Sequence, residues 1–282
     1  GQGAAIDVQA LDTPGFDFTK VGSAISLCVP GLGQFVVEQN GREISVFLDA
    51  SYSDSTLNHW LVDHLLPRVL AHQGQLVLHA AAVHATPGSA IAFLGDTGAG
   101  KSTLTASLHD AGHLLLSDDA LVLNCAQGTV TALPTYPSLR LWPDAVARVY
   151  QQTPPVAPMA RDSSKQCVLI DAPTESRGQP VPLSALYLLG AESDSSGRQT
   201  SLTRLSGQET CMAIIGNAFQ LDLTDTCRAA HLMKAAAEVA RRVPAFKLSY
   251  PRDFDRLPEV RAMIIEHSRG MTAIAVDAAE AG

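Results

Sequence analysis

The residues Gly95-Asp96-Thr97-Gly98-Ala99-Gly100-Lys101-Ser102 fill every fixed position of the pattern G-x-x-x-x-G-K-S/T. Glycines at 95, 98 and 100 let the backbone turn with no Cβ in the way, so that successive amide N–H groups point inward and hold phosphate oxygens at the positive end of a following helix. Lys101 would carry an ammonium to the β and γ phosphates. The Ser102 hydroxyl suits a magnesium ion, which prefers hard oxygen ligands, and Thr103 continues into the helix. An apolar run, Ala90-Ile91-Ala92-Phe93-Leu94, precedes the loop, and the helix-permissive Thr103-Leu104-Thr105-Ala106-Ser107-Leu108-His109 follows it. The expected ligands are therefore ATP or another nucleoside triphosphate, bound with Mg2+.

A second group of residues has the types needed for phosphoryl transfer. Leu114-Leu115-Leu116-Ser117-Asp118-Asp119 reads as a buried strand ending in two carboxylates. One acid can serve the metal while the other accepts the proton of an attacking hydroxyl, because neighbouring acids beside a metal experience different environments. Arg140 and Arg252 are candidate clamps for phosphoryl oxygens, since a planar guanidinium can donate to two of them at once, and Lys165 is a further cation in a Pro/Ser-rich stretch. His79 lies in a β-prone run, Leu76 to Val83, that can pair beside the strand feeding the loop. His84, His109 and His113 fit turn or helix-end positions, and no clustered His/Cys spacing points to zinc.

These groups need a scaffold, and the composition supplies one. The chain has 282 residues, 46% hydrophobic and 17% charged, enough for a sizeable core in one large domain or two small ones. A net charge of −8 argues against general nucleic-acid binding or adhesion to anionic membranes. No apolar run is long enough to span a bilayer and no secretory signal pattern opens the chain, so a cytoplasmic protein is expected. Cysteines at 28, 125, 167, 211 and 227 form no C-x-x-C pair and read as reduced and mostly buried.

Phe35-Val36-Val37-Glu38 and Ile44-Ser45-Val46-Phe47-Leu48, separated by Gln39-Asn40-Gly41-Arg42, predict a hairpin. Apolar residues at helical spacing predict a helix from Ser55 to Ala71, with a kink or break at Pro67. Strand, loop, helix and strand from Ala90 to Ser117 resemble a β-α-β unit, with Gly112 as the helix stop. The proline-bearing stretch from Gln151 to Arg161, and the polar one continuing to Lys165, predict a loop. A strand is expected over Pro182 to Leu189, a surface loop over Gly190 to Gln199, and helices over Thr210 to Ala218 and Cys227 to Arg242. A final element starts at Leu257, and its alanine-rich tail is expected to fray.

The series Leu78-His79-Ala80, Phe93 through Ser102, and Ala111-Gly112-His113-Leu114-Leu115-Leu116-Ser117-Asp118-Asp119 resembles the catalytic domain of the HPr kinase/phosphorylase family in order and spacing. The resemblance, which covers His79 to Asp119, implies an α/β fold of the HPr kinase C-terminal type over residues 76–282; the strand and helix patterns that precede it make 1–75 a β-rich N-terminal region with one helix. It implies a kinase that transfers a γ-phosphoryl group to a serine of a peptide or protein, and an assembly of several copies of the chain. Asp118 would be the general base, His79 would position the reacting groups or tune the base, and Asp119 with Ser102 would serve the metal. Thr103 stands where bifunctional members commonly have Glu, and their downstream Arg-Gly-Leu-Gly signature is absent, so the resemblance does not extend to phosphorylase activity or to HPr as the substrate, and both stay open. Tyr136-Pro137-Ser138-Leu139-Arg140-Leu141-Trp142-Pro143 and Leu248-Ser249-Tyr250-Pro251-Arg252-Asp253-Phe254 look like markers of a divergent branch, some members of which accompany peptide-biosynthesis genes. A kinase of a small hydroxylated metabolite and a nucleotide-operated binding module are the alternatives.

Overall fold

The structure, a computed structural model, describes residues 17–49, 54–126, 128–160, 163–170, 178–190 and 200–280, the side chains of 17, 160, 163 and 272–280 excepted. Its first element is a four-stranded antiparallel meander, β1 (Asp17–Val21), β2 (Ala24–Val29), β3 (Gly33–Glu38) and β4 (Glu43–Leu48). The predicted hairpin is present with Glu38 opposite Glu43, and its turn carries φ values of +49° at Gln39, +59° at Asn40 and +84° at Gly41. Alternation along β2 and β3 sends Ile25, Leu27, Val29, Phe35 and Val37 inward, where they meet Leu65, Val69 and Leu221.

Leu65 and Val69 come from a helical run of three segments: α1 (Asp54–His59), a π-helical stretch Trp60–Leu65, and α2 (Leu66–His72). Pro67 does not break this run as expected. The chain widens just before it, Leu66 N–H bonding Leu61 O five residues back, and the helix resumes with proline in its first turn, where a missing N–H costs least.

The central sheet holds β5 (Leu76–Leu78), β6 (Ala81–Thr86), β7 (Ser89–Leu94), β8 (Leu115–Ser117), β9 (Leu121–Ala126), β10 (Thr129–Leu133), β14 (Val181–Leu189), β15 (Ser201–Arg204) and β16 (Ala245–Ser249). Strand β7 is buried along its whole length, as a strand covered on both faces must be. On one face lie α3 (Lys101–Asp110) and α7 (Leu257–Glu280), packing Leu104 and Leu108 with Val260 and Ile264. On the other lie α5 (Gly207–Gly216) and α6 (Thr226–Arg242), contributing Ile214, Ala236 and Val239. The alanine-rich tail expected to fray is helical through Glu280, in keeping with alanine's propensity.

Strand direction decides where chemistry can gather. Strand β14 pairs parallel with β7 and β16, and β6 pairs antiparallel with both β7 and β8. Strands β7, β8, β14 and β16 therefore all end at one edge of the sheet, and β6 begins there. The β-α-β expectation is corrected in one respect: β6 sits between β7 and β8. The run Leu76 to Val83 is likewise not one strand. It divides into β5, paired with β9, and β6, leaving His79-Ala80 as the joint at that same edge.

A third sheet, in the order β11 (Ser138–Leu141), β13 (Ser163–Leu169), β12 (Val156–Ala160), corrects part of the loop expected from Gln151 to Lys165: residues 151–155 are irregular as expected, 156–160 and 163–165 are strand, and 161–162 lie outside the described residues. Pro158 is tolerated because β12 is an edge strand, where a residue without N–H loses no ladder bond on its open side. Helix α4 (Pro143–Val149) follows β11 and packs Ala145 and Val146 against Leu139, Leu141 and Val168. The loop expected over Gly190 to Gln199 lies outside the described residues beyond Gly190. All five cysteines are free, but Cys28, Cys125 and Cys227 are exposed and the other two half-buried, contrary to the burial expected; Cys28 takes the outward position between inward Leu27 and Val29.

Candidate active site

Between β7 and α3 the chain turns through glycines with φ of +144° at Gly95, +81° at Gly98 and +91° at Gly100, a region closed to side chains with a Cβ at little cost. Contacts add a second constraint at two of them. A Cβ on Gly95 would lie 3.0 Å from Leu189 O, and one on Gly100 would lie 3.1 Å from the Tyr250 hydroxyl, whereas Gly98 faces open space. Ala99 is buried and its N–H bonds Asp96 O at 3.0 Å, while Asp96 and Thr97 are exposed and Thr103 is half-buried in the first turn of α3. Lys101 is 5% exposed, and its Nζ donates to the carbonyls of Gly95 (2.6 Å) and Asp96 (3.2 Å). Burial lowers its proton affinity, against the opposing pull of Asp119, Asp118 and Asp96.

Helix α3 presents Ser102 to the end of β8, and the Ser102 hydroxyl donates to Asp118 Oδ1 at 2.9 Å. The other oxygen of Asp118 accepts the backbone N–H of Arg140 at 2.9 Å. With 2% exposure and the charge of Asp119 beside it, the Asp118 carboxyl is pushed up to about 7; the bonds from Arg140 and Ser102 only partly oppose this. Asp119 adopts φ +65° at the turn and stays partly open. Burial raises its proton affinity too, but His79 Nε2 at 3.7 Å and Arg140 Nε at 3.5 Å more than offset that and hold it below the ordinary carboxylate range. One acid is thus poised to hold a proton near neutrality while its neighbour stays ionised.

His79 is anchored at the strand joint, its N–H donating to Asn217 O at 2.7 Å and its ring 6.0 Å from that of Phe219. Asn217, at the C-terminus of α5, also accepts the Gly95 N–H on its side-chain oxygen at 3.1 Å, and so ties His79 to the glycine loop. Arg252 reaches back from beyond β16 to the loop, donating to Gly98 O (3.0 Å) and Gly190 O (3.3 Å). Lys165 lies over the Trp142 ring at 5.6 Å.

Arg140 differs from a phosphate clamp open to solvent. It is 6% exposed, and its guanidinium donates to Asp63 through Nη2 (2.6 Å) and Nε (3.2 Å), to Ser138 Oγ (2.9 Å) and to the Tyr136 hydroxyl. Burial works against its charge, and Asp63, Asp119 and Asp118 more than restore it. Asp63, Tyr136, Asn217 and Tyr250 are site neighbours that sequence reasoning does not single out. Tyr136 and Tyr250 lie inside the two marker stretches; Asp63 and Asn217 carry no local signal for the site, since the site residues they engage, Arg140 and Gly95, are 77 and 122 residues away.

His79, Lys101, Ser102, Asp118, Asp119, Arg140 and Arg252 thus converge on one sheet edge. Among the described residues no group of three or more His, Cys, Asp or Glu could hold a metal ion by itself. No helix among them is long and apolar enough to cross a membrane.

No family profile and no curated protein matches this chain. Among solved structures, the Hpr(Ser) kinase/phosphatase from Coxiella burnetii is similar at a TM-score of 0.36 and 12% identity, covering 70% of this chain and 98% of that one.

Proposed function

We propose that this protein is an ATP- and magnesium-dependent kinase that transfers the γ-phosphoryl group to a serine hydroxyl of a peptide or protein. The observation that carries the reading is the 2.9 Å hydrogen bond from Ser102 to Asp118, which joins the helix after the glycine loop to the paired carboxylates that follow β8.

The residues fit the ligands. Positive φ at Gly95, Gly98 and Gly100 gives the tight turn that a phosphate cradle requires, and the Ser102 hydroxyl and Asp119 carboxylate are the hard oxygen donors that magnesium takes alongside phosphate and water. When bound, magnesium would neutralise charge on the β and γ phosphates. Lys101 would exchange its carbonyl bonds within the loop for phosphate oxygens. Arg252, already against Gly98, is placed to approach the same group. Asp118 would accept the hydroxyl proton as the serine oxygen–phosphorus bond forms and the bond from phosphorus to the β–γ bridging oxygen breaks, leaving the nucleoside diphosphate with the electron pair. His79 would orient Asp119.

The same Ser102–Asp118 bond favours a second division of labour. Asp118, buried and bonded to the metal-side hydroxyl, would serve the metal, and the more open Asp119 would be the base.

The test incubates the protein with ATP, magnesium and serine-containing candidate peptides, and follows them by mass spectrometry with the Lys101→Ala protein as control. A gain of one phosphate on serine supports the kinase. Phosphate on a small metabolite alone, or nucleotide binding with no transfer to any acceptor, selects one of the alternatives.

A further inference from the structure

Asp63 lies in the N-terminal helical run, and its side chain is 5% exposed. Four donors converge on it: Arg140 Nη2 at 2.6 Å, Arg140 Nε at 3.2 Å, His59 Nδ1 at 2.7 Å, and the Tyr136 hydroxyl. With Ser138 Oγ on Nη1, the guanidinium is held along each of its edges. The outcome is a narrow arrangement toward the acid pair. Arg140 meets Asp119 only at 3.5 Å through Nε, and meets Asp118 only through its backbone N–H.

A buried guanidinium needs a carboxylate partner. Relieved of Asp63, Arg140 would close on the carboxylates beside it and form the two-pronged bridge that the Arg fork favours. That bridge would take up the oxygens needed for the acceptor proton or for the metal.

The local helix geometry serves the same contact. The π-helical stretch Trp60–Leu65 adds room in the turn that carries Asp63, and π-bulges of this kind are frequent at functional sites. Its loosened carbonyls are partly served by the Arg68 guanidinium, which donates to His64 O at 2.7 Å. We propose that Asp63 is a positioning residue for the acid pair, holding the Arg140 guanidinium off Asp118 and limiting its contact with Asp119, which makes the N-terminal helix part of the site.

The kinetic part of this inference rests on the kinase reading, so the experiment has an arm that does not. In 15N-arginine-labelled protein, the Arg140 Nε–H resonance, assigned by its loss in Arg140→Lys, is expected as a sharp, slowly exchanging signal. In Asp63→Asn it should shift and broaden; an unchanged signal overturns the proposal whether or not the protein turns over. In the transfer assay, Asp63→Asn should lower kcat roughly 10- to 100-fold while the KM for nucleotide changes little, and Asp63→Glu should recover part of the loss. Should Asp63→Asn fold poorly, the comparison is made with Arg140→Met and the double variant Asp63→Asn/Arg140→Met, which removes both charges together. If Asp63 acts through Arg140, the double variant is no slower than Arg140→Met alone; a double variant slower than Arg140→Met overturns the proposal. Absence of transfer by the unmodified protein defeats the kinase reading instead, and the Arg140 resonance then decides alone.

Discussion

Replacing Asp118 by Asn offers the sharpest test of how the site is built. The side chain is 2% exposed and accepts from Ser102 Oγ and Arg140 N, both at 2.9 Å. Asn can keep both bonds, with its oxygen toward Arg140 N–H and its NH2 toward a rotated Ser102 hydroxyl. The charge alone is removed. The folded-state carboxyl is pushed from its ordinary 3.8 up to about 7, so the folded protein binds the proton more tightly than the unfolded chain. Stability from this group is full below pH 4 and is lost as pH rises to 7, a loss on the order of 4 kcal/mol at ~1.4 kcal/mol per pH unit. About 3 kcal/mol of it falls between pH 5 and pH 8, and the Asn variant does not lose that part. Thermal unfolding of both proteins at the two pH values should therefore show the variant gaining on the parent by roughly 5–10 °C at pH 8 relative to pH 5. Groups that do not interact with Asp118 cancel in that difference. A gap between the proteins that is the same at both pH values would refute the claim that burial keeps a proton on Asp118 near neutrality.

Other outcomes follow from the same geometry. If Asp118 is the base, Asp118→Asn should lower kcat by about 10²- to 10⁴-fold with nucleotide affinity preserved, and a larger loss in Asp119→Asn would assign the base to Asp119; steady-state kinetics with a fluorescent-nucleotide titration separates the two. Gly100→Ala sets an alanine at φ +91° with its Cβ 3.1 Å from the Tyr250 hydroxyl, which should cost about 1–2 kcal/mol in backbone strain and weaken nucleotide binding at least about tenfold; unaltered affinity would mean that the loop does not seat phosphate. Leu104, fully buried between α3 and α7, should cost about 2–5 kcal/mol on replacement by Ala in urea unfolding, and a smaller loss would show that the α3 seat is loosely packed.

Local pattern and chemistry carried far in this chain. Strand β7, the glycine turn and α3 are readable because each rests on neighbouring residues: an apolar run, glycines where φ must be positive, and a helix-permissive stretch. The β3–β4 hairpin is readable from Asn-Gly for the same reason. The strand β12 hides behind prolines, because whether a proline is tolerated depends on its strand being at a sheet edge, and edges are a property of the whole sheet. His79 illustrates the same limit: its run looks continuous in sequence, and only pairing with different partners parts β5 from β6 and turns the histidine toward Asp119.

The residue types that can hold a phosphate and move a proton are set by Gly95–Ser102 and Asp118-Asp119 themselves, whose chemistry acts over a few bonds. What those groups experience is decided by contacts far along the chain. Asp63 engages Arg140 from 77 residues away, and Asn217 reaches Gly95 across 122. Burial and distant charges, not the local sequence, separate the proton affinities of two adjacent aspartates, because desolvation and Coulomb energies depend on everything packed within a few ångströms.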